Sequence, residues 1–217
     1  MLILTEVLTP NDIAAVRIAI ARGRWVDGRA TAGPLSAEVK HNQQLDEDDA
    51  AGHQAAAIIL DALARSGTFA SAALAARIAP PLFNRYVVGD CYGDHVDNAI
   101  RPLMNGRMRL DLSATLFLSD PADYAGGGLV IADAPPVRLA AGDMVLYRAD
   151  TIHRVEPVTA GVREASFFWV QSLVRDHDAR AMLFALDRTI QSLAAAAPQR
   201  IELTALYHNL LRRWSTP

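Results

Sequence analysis

The stretch that decides the fold is "PPLFNRYVVGDCYGDHVDNAI", residues 80–100. Its first half is a run of apolar, aromatic and β-branched residues closed by Gly89 and Asp90, which reads as a β-strand and its turn. His95 and Asp97 follow, two positions apart. Residues two apart in extended backbone project to the same side, so both side chains can reach one point. An H-x-D pair alone carries little information. With 6 His among 217 residues and aspartate abundant, chance supplies roughly half of one such pair per chain. Its meaning depends on partners elsewhere.

Downstream the same texture continues. "RLDLSATLFLSD", "GGLVIAD", "VRLAAGDMVLYRAD", "IHRVEPVTAG" and "REASFFWVQSLV" are short β-branched or aromatic runs separated by Gly, Pro and Asp turns. Several strands at such close spacing imply a sandwich or barrel. Both flanks change to a helical period. In "LTPNDIAAVRIAIARGRW", Thr9 is placed as N-cap, Pro10 as the first helical residue, and Ile13, Val16 and Ile20 on one buried face. "EDDAAGHQAAAIILDALARSG" resumes the helix with acids at its positive end. After Arg175 come "DHDARAMLFALDRTIQSLAAAA" and, past the break at Pro198, "IELTALYHNLLRRW" with Leu203, Leu206 and Leu210 on one side. The pattern predicts an α+β protein: a mainly helical segment 1–78 packed on a β core 79–175, and a helical segment 176–217.

A net charge of −3 and basic residues scattered along the chain give no stripe for a nucleic-acid backbone. Of the 21 basic residues only Lys40 is a lysine. The single cysteine, Cys91, excludes an internal disulfide. No apolar run reaches the roughly 18 residues of a membrane span, and "MLILTEVLTPND" lacks a basic leader region. The expectation is a cytoplasmic protein with neither membrane nor nucleic acid as partner.

A third ligand for the H-x-D pair must come from another strand. Among the histidines only His153 lies inside another predicted strand of the β region. Two histidines and a carboxylate on adjacent strands form the facial triad of non-haem Fe(II) oxygenases, which leaves coordination positions open for O2 and a bidentate co-substrate. If that co-substrate is 2-oxoglutarate, its distal carboxylate needs a cation in the barrel, best an arginine that forks onto both oxygens. Arg163 stands at the start of "REASFFWV", where the next strand returns beside the first.

"YGDHVDNAI", "DLSATLFLSDPADYAGGGLVI", "AGDMVLYRADTIHRVEPVTAGVR", "ASFFWVQSLVRD" and "LYHNLLRRW" resemble the PKHD-type hydroxylases, relatives of the prolyl 4-hydroxylases within the Fe(II)/2-oxoglutarate oxygenases. The resemblance covers nearly the whole chain. It implies a double-stranded β-helix (jelly-roll) core, Fe(2+) held by His95, Asp97 and His153 as the catalytic centre, and 2-oxoglutarate held by Arg163 with Tyr86. It further implies L-ascorbate as reductant, and hydroxylation of an unidentified peptide, protein or small molecule by O2, with 2-oxoglutarate decarboxylated to succinate and CO2. The chain departs from the family at Gly128, where an acidic residue is usual, and at "APP", residues 134–136.

Other readings stay open at this level. A jelly-roll that binds metal as a sensor or interaction module without turnover needs no Arg163. Zinc hydrolysis from the same three ligands lacks an evident general base. Asp90, Asp94 and Asn98 fit either turn formation or support of His95. Lys40 and Asn42 in "VKHNQQL" fit either a loop that folds over the mouth or, more simply, an exposed loop, and "GGG" at 126–128 reads as a loop with no helix or Lys behind it to cradle phosphate. Tyr92 fits packing or the substrate mouth equally. The C-terminal helix is also a reasonable homo-oligomer contact.

Overall fold

The structure is a computed structural model that describes residues 1–31, 34–103 and 106–216. In chain order its elements begin β1 (Leu2–Leu4), α1 (Pro10–Ala21), β2 (Trp25–Asp27), α2 (Pro34–Glu38), β3 (Lys40–His41), β4 (Gln43–Leu45), α3 (Ala50–Arg65) and α4 (Gly67–Ala73). Then come β5 (Ala75–Ile78), β6 (Leu82–Tyr86), β7 (Cys91–His95), β8 (Ile100–Leu103), β9 (Gly106–Arg109), β10 (Leu112–Phe117), β11 (Tyr124–Gly126) and β12 (Leu129–Ile131). Last are β13 (Met144–Arg148), β14 (His153–Val155), β15 (Val158–Gly161), β16 (Arg163–Ser172), α5 (His177–Ser192) and α6 (Pro198–Trp214).

β8-β9 and β11-β15 form two-stranded sheets of their own, and two facing sheets make the core. The larger runs β1-β13-β10-β16-β6-β4-β2, with β5 also paired to the long β16, and the smaller runs β12-β14-β7-β3. Their pairings are antiparallel. Alternation sorts the side chains of the larger sheet. Leu112, Ala114 and Leu116 of β10, Met144 and Leu146 of β13, and Phe168 and Val170 of β16 face the helices, where they pack with Val16, Ile20, Ile59 and Leu63 of α1 and α3. The opposite face meets the smaller sheet through Tyr86, Phe117, Val145 and Tyr147 against Leu129, Ile131 and Val155. A sheet buried on both faces accounts for β10 being buried at every position. This is the jelly-roll with helical flanks that the resemblance implied.

Local signals hold where they are strongest. Thr9 and Asp12 cap α1 reciprocally, with Asp12 N donating to Thr9 Oγ1 at 3.1 Å and Thr9 N to Asp12 Oδ2 at 3.0 Å. Two expectations need correction. Lys40 and Asn42 do not sit in an exposed loop: Lys40 belongs to β3, Asn42 links β3 to β4, and both are buried. The N-terminal segment therefore supplies edge strands to both sheets as well as helices. In α6, Tyr207, Leu210, Leu211 and Trp214 pack against Leu74, Val174 and Leu183, whereas Leu206 is 47% exposed. The aromatic residues shift the packing face away from the leucine spacing. Among the described residues no helix is long and apolar enough to cross a membrane.

Candidate active site

The register of the smaller sheet brings the histidines together. His95 ends β7 and His153 begins β14, and the two are direct cross-strand partners, their ring centroids 4.2 Å apart. Asp97 lies two residues beyond the end of β7 and turns back to the same point. One ligand atom from each of His95, Asp97 and His153 falls within 4.8 Å of the others, and His153 Nε2 lies 3.9 Å from Asp97 Oδ2.

Backbone carbonyls set the tautomers. Nδ1 of His95 meets Gly93 O at 2.8 Å, and Nδ1 of His153 meets Thr151 O at 2.9 Å. Since a carbonyl only accepts, each Nδ1 carries the proton and each Nε2 keeps its lone pair for a metal. Burial, with His153 beside it, pushes His95 down to about 4, so it is neutral at neutral pH. Ser113 Oγ on β10 donates to Asp97 Oδ2 at 2.5 Å, and the Tyr92 ring stacks on His95 at 3.5 Å. Asp90 and Asp94 do not orient the histidine. Asp90 accepts from Val87 N in the turn, and Asp94 pairs with Arg154 on the surface.

Arg163 opens β16 on the face that looks into the barrel, opposite Tyr86 of β6. It is 1% exposed, and its Nε and both Nη atoms lack hydrogen-bond partners. Its guanidinium lies 5.2 Å from the Tyr86 ring and 5.3 Å from the Phe117 ring. A buried cation with every nitrogen unsatisfied is costly unless an anion completes it. The triad and Arg163 line one cavity, together with Tyr86, Asn84, Thr115, Tyr147 and Lys40. A short dicarboxylate, anchored at Arg163 and reaching a metal at the triad, answers the chemistry of both ends. Burial pushes the Tyr86 phenol up to about 12, opposed by Arg163, so it remains a donor.

A PKHD-type hydroxylase of Nitrobacter winogradskyi is 49% identical over 98% of this chain and 98% of its own length. The chain belongs to the PKHD-type hydroxylases. A second hydroxylase of the family, from Paraburkholderia xenovorans, is 51% identical over 99% of each chain. Residues 81–171 of this hydroxylase match the 2OG-Fe(II) oxygenase superfamily, and residues 177–216 match the PKHD-type hydroxylase C-terminal domain. The hydroxylase is thus an oxidoreductase of the Fe(II)- and 2-oxoglutarate-dependent class. In fold it is similar to a Pseudomonas putida prolyl-4-hydroxylase, with a TM-score of 0.51 at 21% identity over 79% of this chain and 91% of that one. It is likewise similar to a Trichoplax adhaerens prolyl hydroxylase solved with a hypoxia inducible factor peptide fragment, with a TM-score of 0.54 at 17% identity over 83% and 86% of the two chains.

The sequence reading missed Ser113, Thr115 and Tyr147. A signal was present. In "LSATLF" the two hydroxyl residues share one side of an otherwise apolar strand, and in "MVLYR" the one polar ring shares its side with Val145. Only the barrel gives that side its meaning.

Proposed function

We propose that His95, Asp97 and His153 hold the Fe(2+) of this hydroxylase, that Arg163 holds the distal carboxylate of 2-oxoglutarate, and that Tyr86 assists it. The observation that carries the reading is the buried, unpaired guanidinium of Arg163 in the cavity that the triad also lines. A metal-binding module without turnover gives no reason for that cation. Bound iron, with 2-oxoglutarate and O2, supplies the oxidising power for hydroxylating a C–H bond, while 2-oxoglutarate is converted to succinate and CO2.

The chain's own groups do little acid–base work. Gly93 O and Thr151 O fix the two imidazoles with Nε2 toward the metal, and Ser113 fixes Asp97. Arg163 orients the co-substrate from the far end, and Tyr86 and Phe117 keep water from its guanidinium. Residues 79–175 carry this chemistry, framed by 1–78 and 176–217. The substrate, a peptide, protein or small molecule, enters past Val96, which is exposed and lines the cavity next to Asp97. Ascorbate serves as reductant, and the protein works in the cytoplasm.

The test is an anaerobic titration of the Fe(II)-loaded protein with 2-oxoglutarate, following the visible charge-transfer band of the chelate, beside Arg163→Ala. The expected result is a saturable band that needs far more 2-oxoglutarate in the variant. Iron binding with no band in the wild type would overturn the reading.

A further inference from the structure

Tyr147 is a buried side chain in the same cavity to which the assignments above give no role. It is 5% exposed and belongs to β13. Its cross-strand partner on β10 is Ser113, the residue that donates to Asp97. Its ring stands edge-on to His153 with centroids 5.1 Å apart. Tyr147 therefore rises beside the triad from the opposite sheet.

Its side chain lines one cavity with Asp97, Tyr86, Arg163 and Thr115. Thr115 lies one step along β10 on the same face, diagonal to Tyr147 in the register. A phenol hydroxyl carries a proton that it can donate. Tyr147 thus lines the same cavity as the carboxylate of the triad and the guanidinium of Arg163, where a dicarboxylate joining the two would lie.

We propose that Tyr147 is a co-substrate-binding residue, set beside Thr115 on the same face, whose hydroxyl donates a hydrogen bond to bound 2-oxoglutarate. The inference rests on the assignment of Arg163 as the anchor. It gives a use to a phenol whose same-face strand neighbour, Val145, and whose facing residues Val155 and Leu129 are apolar.

The experiment is calorimetric titration of 2-oxoglutarate into Mn(II)-loaded wild type, Tyr147→Phe and Arg163→Met, with Mn(II) affinity measured separately. Steady-state kcat and KM for 2-oxoglutarate follow from its decarboxylation. Tyr147→Phe removes one oxygen and keeps the ring. Losing a hydrogen bond to a charged group weakens 2-oxoglutarate binding about tenfold or more. We expect that loss as a raised Kd and KM, with Mn(II) affinity and kcat little changed. An unchanged Kd, or a fall in Mn(II) affinity that accounts for the loss, overturns the proposal, because Tyr147 then only supports His153 and Asp97. If Tyr147→Phe does not fold, Thr115→Val carries the same test: a Kd raised several-fold supports the proposal, an unchanged one overturns it. Failure confined to Tyr147 leaves Arg163 as anchor, whereas normal binding in Arg163→Met removes both assignments.

Discussion

Replacing Arg163 by methionine should make the 2-oxoglutarate-free protein more stable while abolishing its response to the co-substrate. The guanidinium is 1% exposed and all three nitrogens lack partners. An uncompensated buried charge costs about 3–5 kcal/mol. The Tyr86 and Phe117 rings, each just over 5 Å away, return about 0.5–2 kcal/mol apiece, the upper figure for a desolvated cation. The balance is a penalty of up to about 4 kcal/mol, which an unbranched apolar side chain removes. For a domain of this size each kcal/mol removed raises Tm by about 2–4 °C. The wild type should recover about 2.7 kcal/mol when 2-oxoglutarate is present at a hundredfold excess over its Kd, and the variant nothing. Differential scanning calorimetry of both proteins, Mn(II)-loaded, with and without 2-oxoglutarate, reads both effects. A variant that melts below the wild type without ligand, or that still shifts with it, would refute the reasoning that this charge is held in deficit for an anion.

Three further outcomes follow from particular contacts. Ser113→Ala removes the 2.5 Å hydrogen bond to Asp97 Oδ2 and should weaken metal affinity about 10–100-fold; equilibrium dialysis against Mn(II) checks it, and an unchanged affinity would mean that Asp97 needs no support. At Gly127 the backbone has φ +61, and an added Cβ meets Val158 Cγ2 at 2.9 Å and Arg163 Cδ at 3.1 Å. Gly127→Ala should therefore cost about 1–2 kcal/mol of stability for its left-handed backbone and raise the Kd for 2-oxoglutarate, while Gly67→Ala, whose Cβ meets nothing within 4 Å, does neither. Lys40, the chain's one lysine, has its amine pushed down to about 8 by burial. Its ε-carbon NMR signal should titrate near that value. Because the unfolded chain holds this proton up to about pH 10.4, the burial penalty is present in full below pH 8, and stability should rise as pH climbs from about 8 toward 10. Lys40→Met should lose that rise, and a signal titrating near its ordinary value would place the amine in water.

The sequence by itself determined whatever is written in local spacing. Thr9, Pro10 and Asp12 specify where α1 begins because the cap closes within four residues, and β-branched and aromatic runs between Gly, Pro and Asp turns marked the strands. The same locality made His95 and Asp97 a pair. His153 and Arg163 were legible as residue types on the right kind of strand, and the resemblance gave them their expected roles. Their meeting was not local. Antiparallel register sets His153 opposite His95 and Arg163 opposite Tyr86, and a register is fixed by which faces two sheets bury together, across tens of residues. Tertiary structure likewise decided that Ser113 reaches Asp97, that Tyr147 lines one cavity with the triad and Arg163, and that Lys40 is buried at a sheet edge. The same polar residues on a strand facing water would be ordinary surface, and only the closure of one sheet over the other turns them into a site.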